Sequence, residues 1–216
     1  MTFPLSAEDA RQLSAGDLVV IDGEIVITAG MPTHERLLRC LDGTEPMPME
    51  LKGVSLFHLG SFSREVDGKF EVLYLNPTTS TRFNPFMPRL ITGLQWHAVG
   101  GKGGLDQHCA EAMQAAGCVY LSFLGGGCTL LSQAIKEVVE VGWSDMLTHY
   151  RLVRLRVEGL GPATVGIDAH GRSLYAEEQR QASERMPAIL RELDADREHG
   201  RRVERHDETA IGNVDE

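Results

Sequence analysis

Long apolar runs are missing from this chain of 216 residues. No stretch approaches the roughly 20 residues that a membrane-crossing helix needs. The stretch Met1-Thr2-Phe3-Pro4-Leu5 lacks the basic flank and apolar core of an export signal, so a cytoplasmic location is the expectation. Positive charge is also in short supply, with 21 Lys and Arg against 31 Asp and Glu and a net charge of -10. Such a surface is unsuited to nucleic acid or an anionic membrane as the main partner, although one local cluster of cations is enough for a small anionic substrate. Cysteine is sparse. Cys40, Cys109, Cys118 and Cys128 form no Cys-x-x-Cys pair and no zinc-finger pattern. They read as reduced, buried small hydrophobes, and no iron–sulfur or zinc site is expected on this chain alone.

What is present is an ordinary globular composition, 42% hydrophobic and 24% charged, in a chain long enough to bury a real core. Ser6 to Leu13, with Glu8 and Asp9 early, reads as a short capped helix. Leu18 to Ile21 and Glu24 to Ile27 flank Asp22-Gly23, a two-residue hairpin signal. Thr33 is placed to cap a helix from His34 to about Leu41, and Asp42 to Pro48 reads as a loop. Val54 to His58 and Phe70 to Leu75 read as strands joined through a turn at Asp67-Gly68. Beyond Thr81 the texture alternates: a strand over Leu94 to Val99, a helix over Asp106 to Ala116, and a buried strand over Cys118 to Leu124. A helix carrying Leu130, Leu131, Ala134, Ile135 and Val138 follows. Further strands are expected near Val139 to Trp143, Leu152 to Val157 and Ala163 to Ile167. The alternation predicts an α/β fold with some parallel pairing. Residues 1–195 read as one domain, helical and charged from Ala176. Residues 196–216 form a charged tail with too little apolar surface to pack, expected to be disordered.

Two segments hold groups suited to chemistry. Asn76-Pro77-Thr78-Thr79-Ser80-Thr81-Arg82 sets consecutive hydroxyl residues and an arginine after an expected strand and ahead of a helix containing Pro88. Hydroxyls and free backbone N–H groups bind carboxylate oxygens, and arginine grips one bidentately, so one reading is an anion pocket. The other is a Ser/Thr turn that caps the next helix. Gly100-Gly101-Lys102-Gly103-Gly104 lets the backbone approach a ligand closely and sets one ammonium in a cleft. It is not a Gly-x-x-x-x-Gly-Lys-Ser/Thr nucleotide loop, and a flexible surface turn with a solvated lysine is its alternative. Gly125-Gly126-Gly127 can bind an anion or permit close strand–helix packing, and packing is favoured. Among the histidines, His170 reads as a turn residue and His58 as a core or cleft residue; with His34 they make no metal triad by spacing.

In combination these motifs resemble the β subunit, or C-terminal domain, of the class I fumarase and L-tartrate dehydratase family of iron–sulfur hydro-lyases. Asn76 to Arg82 stands where the family carries Gly-Pro-Thr-Thr-Ser-x-Arg, and Gly101 to Gly104 where it carries Gly-Lys-Gly-Gly. Gly16-Asp17-Leu18-Val19, Phe57-His58-Leu59-Gly60 and Ile167-Asp168-Ala169-His170-Gly171 match three further elements in order. The resemblance implies a swivelling β/β/α domain with a mixed sheet. It implies an α subunit, or a separate N-terminal domain, whose cysteines hold a 4Fe–4S cluster with one iron acting as Lewis acid on the departing hydroxyl. By the same resemblance Thr78 is the acid/base, Arg82 and Lys102 bind carboxylate, and Thr79, Ser80 and His34 line the substrate. The substrate would be a small 2-hydroxy (di)carboxylic acid of tartrate or fumarate/malate type, and the working form a hetero- or homo-oligomer. A threonine hydroxyl is a poor base, so such a role needs neighbouring positive charge and exclusion of water.

One departure stands out. Where the family shows Arg-Asp-x-x-His, with the arginine on a substrate carboxylate, this chain reads Gly30-Met31-Pro32-Thr33-His34. Arg36 or Arg89 replaces the lost cation, or the substrate differs at that end, or activity is lost. Two functions therefore stand side by side: the β subunit of a hydro-lyase, and a non-catalytic anion-binding or assembly module with the same fold.

Overall fold

A short parallel contact starts the architecture. In the computed structural model, which describes residues 1–126 and 128–211, β1 (Thr2–Phe3) lies beside β2 (Leu18–Ile27). Between them α1 (Ala7–Arg11) is held by a reciprocal cap in which the Ser6 hydroxyl accepts from the Asp9 N–H and the Asp9 carboxylate answers. After α2 (Met31–Leu41) come β3 (Ser55–Phe57), β4 (Leu59–Val66) and β5 (Lys69–Pro77), then a 3₁₀ turn (Ser80–Phe83) and α3 (Met87–Leu94). The chain continues through β6 (Ala98–Gly101), α4 (Gln107–Ala116), β7 (Val119–Phe123), α5 (Cys128–Gln133) and β8 (Ile135–Gly142). A second 3₁₀ turn (Thr148–Tyr150) leads to the long strand β9 (Leu152–Ile167), and α6 (Leu174–Ile211) follows.

The main sheet has seven strands in the order β1-β2-β3-β6-β7-β9-β8. Strands β2, β3, β6 and β7 are mutually parallel. Strand β9 runs antiparallel to β7 and reaches back to β2 as well, Thr164 standing opposite both Leu18 and Ser122. The five strands β2, β3, β6, β7 and β9 therefore close a ring. Period-two alternation sorts the side chains. Ile25, Ile27, Phe57, Ala98, Val119, Leu121 and Val165 face one core. Val26, Leu56, Val99 and Tyr120 face a second core shared with Leu37, Met87, Ile91, Cys109 and Met113 from α2, α3 and α4. Strands β4 and β5 form a separate two-stranded hairpin, turned at Asp67-Gly68.

The α/β class and the parallel β6-α4-β7 unit agree with the sequence pattern. Several details differ. Asp22-Gly23 is no hairpin but the middle of β2, at a register shift, with Gly23 at φ +111°. A Cβ there would lie 2.3 Å from the Phe3 carbonyl oxygen, so the glycine serves the close approach of β1 rather than a turn. Helix α2 begins at Met31 with Gly30 as its cap, and Thr33 lies inside it, its hydroxyl donating to the Tyr150 carbonyl. The Asp67-Gly68 turn joins β5 to β4, a strand unmarked in the sequence, and not to β3. Ile135 and Val138 belong to β8, not to the helix before it, and the two final strands are one.

By packing, Met1–Tyr175 forms one compact unit and a second begins at Ala176. Helix α6 continues through the expected tail to Ile211, with Met186, Ile189, Leu190 and Leu193 exposed at helical spacing. Among the described residues no helix is long and apolar enough to cross a membrane.

Candidate active site

The carboxyl ends of the parallel strands gather the chemistry, as is usual for parallel α/β sheets. His58 follows β3, Lys102 follows β6, and Gly30 lies three residues beyond the end of β2. The hairpin β4–β5 leaves from His58 and returns at Thr78, where the Thr78 N–H donates to the His58 carbonyl at 2.8 Å. From there the loop is zipped to the end of β6. The Lys102 N–H donates to the Thr78 carbonyl at 3.0 Å, and the Ser80 N–H donates to the Lys102 carbonyl at 2.8 Å. Two loops separated in sequence thus form one short parallel bridge, Thr79 opposite Lys102. Gly101 makes this possible, since a Cβ at that position would fall 2.3 Å from the Ser80 Oγ and 3.0 Å from the Thr78 carbonyl oxygen.

Above this bridge the polar side chains have few partners among the described residues. Thr78, Thr79 and Lys102 are half-buried and Arg82 is exposed. Among the described residues Arg82 reaches only the Thr79 carbonyl, at 3.4 Å, and the face of Phe83, 5.3 Å from the ring centre. Neither Arg82 nor Lys102 forms an ion pair among the described residues. Thr79 caps the 3₁₀ turn without a side-chain hydrogen bond, and α3 is capped at Phe86. The hydroxyls do not serve as helix caps, and Gly100 and Gly101 are buried strand rather than a surface turn. The glycines after β7 do not provide close packing either: Gly126 has nothing within 4 Å of a built Cβ, and Gly125 only the Lys102 Cδ at 3.8 Å. Gly127 lies outside the described residues.

Below the bridge lies a sealed polar chain. His34, His58, Ser80 and Tyr120 have no exposed surface. The His34 Nδ1 is 2.6 Å from the Gly30 carbonyl, and its Nε2 is 3.2 Å from the His58 Nε2. The His58 Nδ1 is 2.8 Å from the Ser80 Oγ, to which the Tyr120 hydroxyl also donates at 2.8 Å. Phe83 stacks on His34 at 4.1 Å between ring centres and packs on His58 at 4.3 Å. Burial pushes the His34 imidazole down to about 4, against a raising contact from Gly30 and with the Arg82 charge helping to lower it. Burial, then His34 and Arg82, hold His58 well below the ordinary histidine value. Both rings are therefore neutral.

The expected site residues split accordingly. Thr78, Thr79, Arg82 and Lys102 come together, and neither cation forms an ion pair among the described residues. His34 and Ser80 are brought to the same place, but underneath, with every side-chain nitrogen and the hydroxyl already engaged. They present nothing to a ligand in this structure. Tyr120 and Phe83 complete the arrangement and went unmarked in the sequence. Tyr120 sits inside the apolar run Cys118 to Leu124, where its one polar atom gives no periodic signal.

A further motif proves to be architecture. The buried Asp168 carboxylate accepts from the N–H groups of Ala15 at 3.1 Å, His170 at 3.0 Å and Arg172 at 3.0 Å. His170 is the turn residue its sequence suggested, its ring against the Arg11 carbonyl at 3.0 Å. Among the described residues no three His, Cys, Asp or Glu side chains converge as a metal-binding group. Cys40, Cys109 and Cys118 are buried free thiols, and burial pushes each of them up. A groove of about 600 Å³ between α3 and α4, lined by Pro88, Arg89, Thr92 and His108, shares no residue with the site.

Comparison with known proteins identifies the family. The family model described as Fumarase C-terminus matches residues 2–178. The chain belongs to the fumarase C-terminal family. It is 32% identical over 193 residues to the L(+)-tartrate dehydratase subunit beta of Escherichia coli K12, covering 89% of this chain and 94% of that protein. A putative L(+)-tartrate dehydratase subunit beta of Methanocaldococcus jannaschii is 30% identical over 187 residues, covering 86% and 95%. A putative class I fumarate hydratase of Geobacillus stearothermophilus is 30% identical over 184 residues, which make up 85% of this chain and 34% of that longer protein.

Within this family chain, the glycine at position 30 is locked in place. A Cβ on Gly30 would meet the Thr33 Oγ1 at 2.3 Å and the Tyr150 ring at 2.9 Å. Neither arginine offered as a substitute cation is free. Arg36 pairs with Glu45 at 2.8 Å and Asp145 at 2.9 Å and lies over the Trp143 ring at 4.7 Å. Arg89 pairs with Asp42 at 2.5 Å.

Proposed function

We propose that this chain is the β subunit of an iron–sulfur hydro-lyase that reversibly dehydrates a 2-hydroxy (di)carboxylic acid, acting with an α subunit in an oligomer. The observation that carries this reading is the grouping of threonine hydroxyls with two cations, Arg82 and Lys102, that form no ion pair among the described residues, on loops zipped together at the strand ends. Such cations in an acidic chain suit a carboxylate ligand. Thr78 is the acid/base, with Arg82 and Lys102 holding the carboxylate and lowering the cost of a negative oxygen beside them. Thr79 contacts the substrate from the same bridge. The names of the relatives support a small hydroxy acid and a partner subunit. The closed ring of strands with helices on its outside suits the swivelling β/β/α type of domain. Because no three ligating side chains converge among the described residues, this reading assigns the 4Fe–4S group to the α subunit, and its chemistry stays with that subunit.

A second reading draws on one observation. With Tyr150 filling the space at Gly30 and with Arg36 and Arg89 engaged elsewhere, one end of the site has no cation from these positions. A non-catalytic anion-binding module would tolerate that.

Anaerobic co-expression with the α subunit, followed by a panel of hydroxy acids, decides between them. Turnover by the assembled protein is expected, with none from this chain alone. Arg82→Ala and Lys102→Ala should each lower kcat/KM by roughly 10- to 100-fold, the loss of one charge-assisted contact, without loss of fold. Assembly without turnover of any acid would favour the module, and variants with unchanged kcat/KM would remove these cations from the site.

A further inference from the structure

The sealed chain beneath the loop has a direction, and the direction follows from its last acceptor. The Gly30 carbonyl can only accept, so the His34 Nδ1 donates to it. A neutral His34 then accepts at Nε2, and the His58 Nε2 must be the donor across that contact. A neutral His58 accepts in turn at Nδ1, so the Ser80 hydroxyl gives it its proton. The Tyr120 hydroxyl supplies the hydrogen that the Ser80 oxygen takes. Every group has one assignment, and the assignments run one way from Tyr120 to Gly30.

Such a chain holds protons rather than moving them. Its terminal carbonyl cannot take up a proton, and none of its members touches solvent. Its consequence is mechanical. Ser80 is the member that belongs to the substrate-facing loop, and its N–H is already fixed to the Lys102 carbonyl. The hydroxyl adds two further contacts in a space so tight that a methyl on Gly101 would overlap it.

We propose that Ser80 is a positioning residue whose hydroxyl, as the junction of this one-way chain, holds loop 78–82 on Lys102 so that Thr78, Arg82 and Lys102 are presented in one arrangement. The hold itself stands on the geometry. What it serves rests on the hydro-lyase reading above.

Two measurements separate the one from the other. In the full-length isolated chain, nitrogen NMR of the imidazoles should show His34 protonated at Nδ1 and His58 at Nε2, both neutral at pH 7. Ser80→Ala should speed hydrogen exchange at the amides of residues 80 and 102 by roughly 10-fold or more, while the amides of β7 stay protected. Tyr120→Phe, which leaves the Ser80 donation to His58 in place, should change those two rates less. If Ser80→Ala does not fold, Ser80→Cys fills the same space with a weak donor and carries the same comparison. Unchanged exchange at residues 80 and 102, or the opposite tautomers, overturns the proposal. In the assembled protein, Ser80→Ala should lower kcat by roughly 10-fold or more at a global stability that still keeps it folded. Faster exchange together with a wild-type assembly that dehydrates no acid would retain the hold and remove the hydro-lyase reading. An active assembly whose kcat is untouched by Ser80→Ala removes the positioning role instead.

Discussion

Two neutral imidazoles with no exposed surface tie this protein's stability to pH. His34 is held at about 4 when folded, chiefly by burial, against an ordinary value of 6.5. The unfolded chain therefore binds more protons than the native one below about pH 6.5, and stability falls as pH drops through the interval from about 6.5 to 4. At pH 5 the loss from His34 alone is on the order of 2 kcal/mol, at about 1.4 kcal/mol per pH unit, and His58 acts in the same direction. Urea midpoints measured at pH 7.5 and 5 should differ accordingly, and the slope should shrink in His34→Gln. A midpoint flat across this range would mean that the rings are not buried neutral. Gly30 poses a second residue-scale test. Replacing it with arginine should not restore a family-like cation but should destabilise, by roughly 1–3 kcal/mol for an overpacked site, because Thr33 and Tyr150 occupy the space. Thermal melts of Gly30→Arg beside wild type check this. A gain in turnover without loss of stability would show that Tyr150 yields readily.

At the scale of elements, the parts that were legible in the sequence are those set by local pattern. The helix capped by Ser6, the buried strand over Cys118 to Leu124 and the helix after Asp106 all follow from capping groups and periodicity that neighbours in sequence share. The misread elements were decided at a distance. Asp22-Gly23 has the chemistry of a turn, yet β1 and β9 flank it on both sides and keep it extended. Ile135 and Val138 continue a helical spacing, but β9 offers them a ladder partner in Val157 and Leu155. The site shows the same division. Its surface residues were readable because threonines, arginine and lysine sit in two short motifs. Its support was not, because Tyr120 contributes a single hydroxyl from 40 residues away. The Asp168 turn gives an element-scale prediction. Asp168→Ala leaves the N–H groups of Ala15, His170 and Arg172 without their acceptor, at a cost of about 1–3 kcal/mol for each that water cannot reach. The joint between β9 and α1 should loosen while the site keeps its geometry. Denaturation should therefore shift markedly, with kcat of the surviving folded assembly close to wild type; a selective loss of kcat would place Asp168 in the site.

For the whole molecule, the question is how much chain the fold requires. Both apolar cores are built from residues up to Ala169, with Tyr175 packed against the second. The family match likewise ends at residue 178. Tyr175 is the last side chain with a structural part in this unit. Its ring meets Tyr120 edge-on at 5.9 Å, and it covers Gly104 and Gly166 so closely that a Cβ on either would fall within 2.7 Å of it. Gly104 follows Lys102 by two residues, so this contact also braces the loop that carries the site. A chain ending at residue 178 should therefore fold, with a melting temperature within a few degrees of the full chain's. A chain ending at residue 173, or full-length Tyr175→Ala, should lose about 2–4 kcal/mol, the usual range for emptying a packed aromatic position. The loss should come with faster amide exchange at Gly104. Circular-dichroism melts of the three proteins measure the first effect and exchange the second. Failure of the chain ending at residue 178 to fold would show that the fold needs residues beyond 178.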